Sequence, residues 1–409
     1  MKTSFMSQPA FRILGALSGA AVILSTAAAP GHAEERYKVF LNMSYSGNTW
    51  QALAANGIKA LAATPPYDKN VEFKTVISGT EVQRQISDLQ SMIAAGANAI
   101  LIMPLSPTGL NRVIKQACSK GIVVFTYDAT VTEPCAYNVS SITARYGANS
   151  AQWMVNQMGG KGELVFNHGV AGTTVTKTYD EQAYHIFKKY PGIKIVGDFY
   201  GNWNDATSQE EVAKILAAHP NIDGIWTVDG NYGSLQAVVN ARPDRLVTIT
   251  GQSNNGYRLM IADPDMQAKG LKGLSSSSGP AVGGYAFKLM MEVVTGKKKL
   301  EQHSIEYPLP WVQPQDVKVC SGDKFVEGCN TFPADKVSPL FITTALDGER
   351  LPELSLDAVQ TGNPAPGATI QELPKVIYAD TLPGINCTDC KAPADWLEPN
   401  RVEPIPVPQ

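Results

Sequence analysis

The side chains of this 409-residue chain that could do chemistry are amides, carboxylates, hydroxyls and indoles gathered in short polar runs. Residues 44–50, 104–106, 128–130, 168–173, 200–205, 229–231, 252–255 and 275–279 are rich in Asn, Asp, Ser, Gly and Trp. Carboxylates and amides exchange hydrogen bonds with hydroxyl groups, and flat rings cover the C–H faces of a pyranose or furanose. That mixture suits holding a small polar solute better than breaking a bond. The chain has no G-x-S-x-G, H-E-x-x-H, P-loop or G-x-G-x-x-G motif. Beyond residue 33 its histidines are His168, His185, His219 and His303, none within four residues of another, so no local metal cluster is expected. Asp128 and Asp229 could pair as glycosidase-like carboxylates, but the sequence sets no separation for them. We expect a binding protein and not an enzyme, with no cofactor and no metal.

Each polar run follows a strand pattern. Strands are expected at 37–43, 71–77, 99–103 and 122–127, with helices at 50–63, 81–95 and 108–119 between them. The 81–95 helix has Val82, Ile86, Leu89, Met92 and Ile93 on one face, and Gly96 supplies its stop. The alternation then restarts, with helices at 144–158, 174–190, 206–219 and 232–241. Strands at 163–167, 193–199, 222–228 and 246–250 alternate with them, and a strand at 270–276 and a helix at 282–295 follow. Repeated β-α-β order implies parallel sheets covered on both faces. In such sheets ligands sit beyond the carboxyl ends of the strands, which is where the polar runs fall.

The flanks differ in composition. Lys2 and Arg12 precede an uncharged apolar stretch at 13–29, and Gly31-His32-Ala33 offers a cleavage site, so residues 1–33 read as a signal peptide. An uncleaved anchor is the alternative for that stretch. Net charge is −3, and −5 once Lys2 and Arg12 are lost, which argues against nucleic acid or anionic lipid as partner. Six cysteines in an exported chain read as disulfides. Proximity pairs Cys118 with Cys135, Cys320 with Cys329, and Cys387 with Cys390, among fifteen possible connectivities. Cys387-Thr-Asp-Cys390 could instead be a redox or metal motif, but no His lies near it. Residues 308–409 hold 15 of the 27 prolines, which excludes long regular elements there. They read as an extended wrap, either a stabilising tail or a partner-docking arm.

The runs NMSYSGNTW, AILIMPLSPTGL, GIVVFTYDA, GVAGTTVTKTYDEQ, AHPNIDGIWTVDG and ITGQSNNGY resemble the ribose-binding-protein-like family of type I periplasmic binding proteins. The likeness covers residues 37–307. It implies that Asn48, Trp50 and Gln51 form an aromatic-bearing ligand loop after the first strand. It implies that Asp128 binds sugar hydroxyls and that Trp203 stacks on the opposite sugar face. Lys177 falls where an Arg usually binds the sugar; Asp229, Gln252 and Ser277 fall at polar ligand positions. Met103, Ala129, Gln252 and Ser277 stand where the family often has Asn, Arg, Asp and Gln. Fewer charged contacts point away from ribose itself.

Each of these residues also has a plainer reading. Trp50 could be core, Asp128 a turn cap, and Lys177 a solvated helix residue. Trp203 lies in a polar run with little apolar neighbourhood to join. Asp205 reads as an N-cap and Trp226 as core.

The resemblance implies two doubly wound lobes joined by three crossings, near Ser140, Ser277 and Ser304. The N-terminal lobe would take residues 37–139 and 279–303, the C-terminal lobe 140–278 and 304–345, and 346–409 would be an irregular extension. A monomer is expected, periplasmic after cleavage and not inserted in the membrane. It would close on a sugar or polyol and pass it to the permease of an ABC importer. A sensory protein serving a chemoreceptor or sensor kinase shares every one of these features.

Overall fold

The computed structural model describes residues 36–408 apart from 323, 326 and 327. The expected signal peptide lies outside the described residues. The first run of elements is β1 (Tyr37–Met43), α1 (Thr49–Ala62), α2 (Tyr67–Asn70), β2 (Val71–Ile77), α3 (Val82–Ala94), β3 (Ala99–Ile102), α4 (Asn111–Ser119), β4 (Val123–Tyr127) and β5 (Tyr137–Ser140). The second is α5 (Tyr146–Met158), β6 (Lys161–His168), α6 (Thr174–Phe187), β7 (Gly192–Tyr200), α7 (Asp205–Ala218), β8 (Gly224–Thr227), α8 (Asn231–Ala241), β9 (Thr248–Gly251), α9 (Asn255–Ala262), α10 (Pro264–Ala268) and β10 (Lys272–Ser275). After these come α11 (Ala281–Val294), β11 (Ser304–Glu306) and α12 (Leu356–Thr361).

These strands form two parallel sheets, in the orders β11-β5-β4-β3-β1-β2 and β10-β9-β8-β6-β7. Their central strands show no apolar–polar alternation: all four residues of β3 are buried, as are all four of β8. Such strands must be covered on both faces. On the first sheet, α1 and α11 fill one face around Ile58, Leu61 and Phe287, while α3 and α4 fill the other around Leu89, Ile93 and Ile114. On the second, α5 and α6 pack over Phe166 and Trp226, and α7 to α9 over Val165 and Ile225. The expected doubly wound α/β architecture is therefore present in both lobes.

Three features differ from the sequence reading. Residues 304–306 were expected in the second lobe, yet β11 pairs in parallel with β5 and completes the first sheet. The crossing therefore falls after Tyr307, and the chain reaches the second sheet at Val312, which bridges Ser275. Second, two of the three expected disulfides form, Cys118–Cys135 and Cys320–Cys329. Cys387 and Cys390 remain thiols; the Cys387 sulfur accepts a hydrogen bond from the Cys390 N–H at 2.8 Å, which closes that turn without a covalent bond. Third, α7 is capped by Asn204, whose side chain accepts from Thr207 N–H, while Asp205 turns to accept from Gly233 N–H at 2.8 Å.

Beyond Tyr307 the chain wraps both lobes. Asn254 and Asn255 of the second lobe bond with Ile342 and Phe341. Then α12 packs on α1 of the first lobe, where Glu353 pairs with the buried Lys288 of α11 at 2.6 Å. Tyr378 bridges Ile305, and Asn386 donates to Ala136 and Glu133 carbonyls beside β5. The last stretch returns to the second lobe, with Asp395 on Arg145 and Glu398 on His185 and Lys189.

Candidate ligand-binding cleft

The carboxyl ends of both sheets open onto one cavity between the lobes. From the first lobe it is lined by Asn48, Trp50, Gln51, Met103 and Asp128. Val175, Tyr179, Trp203, Val228, Asp229 and Gln252 line it from the second, and Ser277 and Ser278 from the crossing. Its mouth continues past Asn48, Trp50, Trp203, Asp205 and Asp229 to Leu340 and Ile342 of the wrap.

Local geometry places each group. Asn48 caps α1 by accepting from Gln51 N–H at 2.9 Å, which fixes the loop at the mouth of the first lobe. Its Nδ2 reaches across to the carbonyl of Trp203 at 3.5 Å. The Trp50 ring lies parallel to Tyr127, centroids 6.4 Å apart, and its Nε1 donates to the Ser278 carbonyl at 2.9 Å. Gln252 donates to the same carbonyl at 2.9 Å, so one crossing residue is held from both lobes.

Three non-glycine residues here have left-handed backbones: Asp128 at φ 61°, Asn202 at 54° and Trp203 at 52°. Such conformations are costly for bulky side chains, and they cluster where a fold must aim a group. The Trp203 indole packs so closely on Gly169 that a Cβ there would lie 2.2 Å from Nε1.

The electrostatics are one-sided. Burial pushes the Asp128 carboxyl up to about 6, with Ser278 opposing in part. Burial, and then the charge of Asp205, raise Asp229 well above the ordinary carboxylate range. Burial and then Asp229 and Asp128 together raise the Tyr45 hydroxyl, so both carboxylates act on one point. Asp229 accepts from Gly230 N–H at 2.7 Å, and the Gln51 Oε1 is buried without a partner. Among the described residues no group of three His, Cys, Asp or Glu could hold a metal.

Of the nine residues expected in the site, eight line this cavity: Asn48, Trp50, Gln51, Asp128, Trp203, Asp229, Gln252 and Ser277. Lys177 does not. Val175 and Tyr179 of α6 face the cavity, and a helix turns about 100° per residue. Lys177 therefore points away from both, and it is exposed. Tyr179, Val175 and Val228 were missed. The i, i+4 spacing of Val175 and Tyr179 was the available signal, but it reads equally well as core. Trp226 is core, fully buried beside Phe166.

The sequence and the fold are similar to those of known proteins. The chain is 28% identical over 176 residues to a xylitol-binding protein from Mycolicibacterium smegmatis, covering 42% of this chain and 50% of that one. It is 25% identical over 206 residues to a galactofuranose-binding protein from Escherichia coli, covering 48% of this chain and 64% of that one. The fold superposes with a TM-score of 0.61 on an ABC transporter solute binding protein from Thermobispora bispora, 24% identical, over 69% of this chain and 86% of that one. A family profile described as a periplasmic binding protein domain matches residues 39–298. With that profile spanning more than half its length and both lobes present, the chain belongs to the type I periplasmic binding proteins.

Proposed function

We propose that this protein captures a sugar or polyol in the cleft between its lobes and delivers it to the permease of an ABC importer. The observation that carries the reading is one cavity walled by Trp50 and Asp128 from the first lobe and Trp203 and Asp229 from the second. Indoles cover C–H faces and carboxylates accept from hydroxyls, so a ligand there touches both lobes and favours their closed arrangement. The xylitol-binding and galactofuranose-binding relatives support this ligand class. Two disulfides fit an oxidising, extracytoplasmic compartment, and no helix of the described residues is long and apolar enough to cross a membrane. The protein acts as a periplasmic monomer without enzymatic activity.

A thermal-shift screen against pentoses, hexoses, alditols and cyclitols tests the reading. A cognate ligand at a hundredfold excess over its dissociation constant adds about 2.7 kcal/mol of stability. A clear shift from a subset of stereoisomers is expected. No shift from any of them contradicts the proposal.

A further inference from the structure

The cleft is asymmetric in the charge it offers a ligand. Trp50 Nε1 and one N–H each of Gln51 and Gln252 are engaged by the protein, on the Ser278 carbonyl, the Met103 sulfur and the Ser278 carbonyl, at 2.9 Å in each case. The Asn48 amide reaches the Trp203 carbonyl. Hydroxyl donors of Ser277, Ser278 and Tyr179 remain beside free acceptors, but the only charge that remains is negative. Gln51 is 1% exposed and lines the cavity, and its Oε1 has no partner. The carboxylates of Asp128 and Asp229 line the same space, with Asp205 at its mouth. Among the described residues no Lys, Arg or His lines the cavity or the mouth. The one cation the sequence offered, Lys177, is exposed on the other side of α6.

Desolvated carboxylates without a counter-charge are costly, and a partner of opposite sign relieves that cost. The charge is not met by the protein, and the donor set is too small for a metal. It is left to an organic ligand. An ammonium brings three donors and one positive charge, and indole faces such as those of Trp50 and Trp203 attract cations.

We propose that the cleft selects an amine-bearing polyol, an amino sugar or amino alditol in its cationic form, over the matching neutral polyol. This rests on the reading that the cleft binds polyols, and it adds the charge of the ligand. The raised carboxyls of Asp128 and Asp229 accord with it, because each lacks the cation that would hold it ionised. Anionic sugars, such as sugar acids and sugar phosphates, are excluded by the same field.

The test is calorimetric titration of the full mature chain at pH 7.5. The probes are D-glucosamine, D-galactosamine, D-mannosamine and 1-amino-1-deoxy-alditols, each against its hydroxyl parent. Breaking a desolvated charge pair typically costs enough that at least one amine should bind about 30-fold or more tighter than its parent. Asp128→Asn and Asp229→Asn should each shrink that preference to within about threefold, since each removes one carboxylate that the ammonium would pair with. The melting temperatures of the ligand-free variants show that they fold. Parents binding as well as or better than their amines overturn the inference and leave the polyol reading standing. A preference that survives both substitutions also overturns it, because the charge would then lie elsewhere. Binding of neither class defeats both readings.

Discussion

At the scale of single residues, Asp128 combines deep burial with a left-handed backbone. It is 7% exposed, left-handed at φ 61°, and pushed up to about 6 by burial. A carboxyl raised in the folded state loses stability as pH climbs from its unfolded value of 3.8 to its folded value of about 6, and the loss is complete above that, because ionising it in the fold is harder than in the unfolded chain. A lift from 3.8 to about 6 corresponds to about 3 kcal/mol. Asp128→Asn should therefore raise the melting temperature of the ligand-free protein at pH 8 and change it little at pH 4. An equal effect at both values would show that burial of the charge is not the cause. The places of Trp203 and Asp128 at the cavity were legible in the sequence, because a tryptophan in an otherwise polar run and an acid at a strand end have few plainer uses. Lys177 was not, since its role depended on helix phase, which places it two residues from the facing pair Val175 and Tyr179. Tyr179 was hidden for the converse reason: an aromatic on an apolar helix stripe is normally core.

At the scale of elements, the ligand-facing ends of the second sheet are pinned by one histidine. His168, the last residue of β6, bonds Asp180 of α6 at 2.7 Å through Nδ1 and Asp198 of β7 at 2.8 Å through Nε2. Tyr184 donates to the other oxygen of Asp198 at 2.6 Å, and the Tyr200 ring stacks on the imidazole. Burial pushes the imidazole down, but the two carboxylates outweigh it and the net shift is upward. A group raised in this way stabilises the fold fully below its unfolded value near 6.5 and loses that contribution as pH rises through the higher folded value. His168→Gln should then lower the melting temperature more at pH 5.5 than at pH 9; a loss that grows toward alkaline pH would contradict the assignment. The long helices and most strands were legible, because their caps and periodicity are local. β5 and the return of β11 to the first sheet were not. Both are four residues or fewer, and only pairing across the sheet defines them.

At the scale of the whole molecule, the wrap beyond Tyr307 is the feature the sequence described least. Its prolines excluded long regular elements but said nothing of its path. That path visits the second lobe at Ile342, the first at Glu353 and Asn386, and the second again at Asp395 and Glu398. The Glu353–Lys288 pair is almost fully withdrawn from solvent, at 0% and 1% side-chain exposure. Such a pair holds its partners together strongly because breaking it strands a buried charge. The wrap therefore spans both lobes, and the cleft sits where Asn48, Trp50, Trp203 and Gln252 reach across it or to the crossing.

The measurement that bears most directly on this account is the affinity of the best polyol or amino-polyol ligand, read by calorimetry for the native chain, Trp50→Ala and Trp203→Ala. The two indoles belong to opposite lobes and share only the cavity. One ligand per chain is expected, with the affinity falling about tenfold or more in each variant. A ligand whose affinity changes less than about twofold in either variant would sit outside the gap between the lobes, and the central claim would fail.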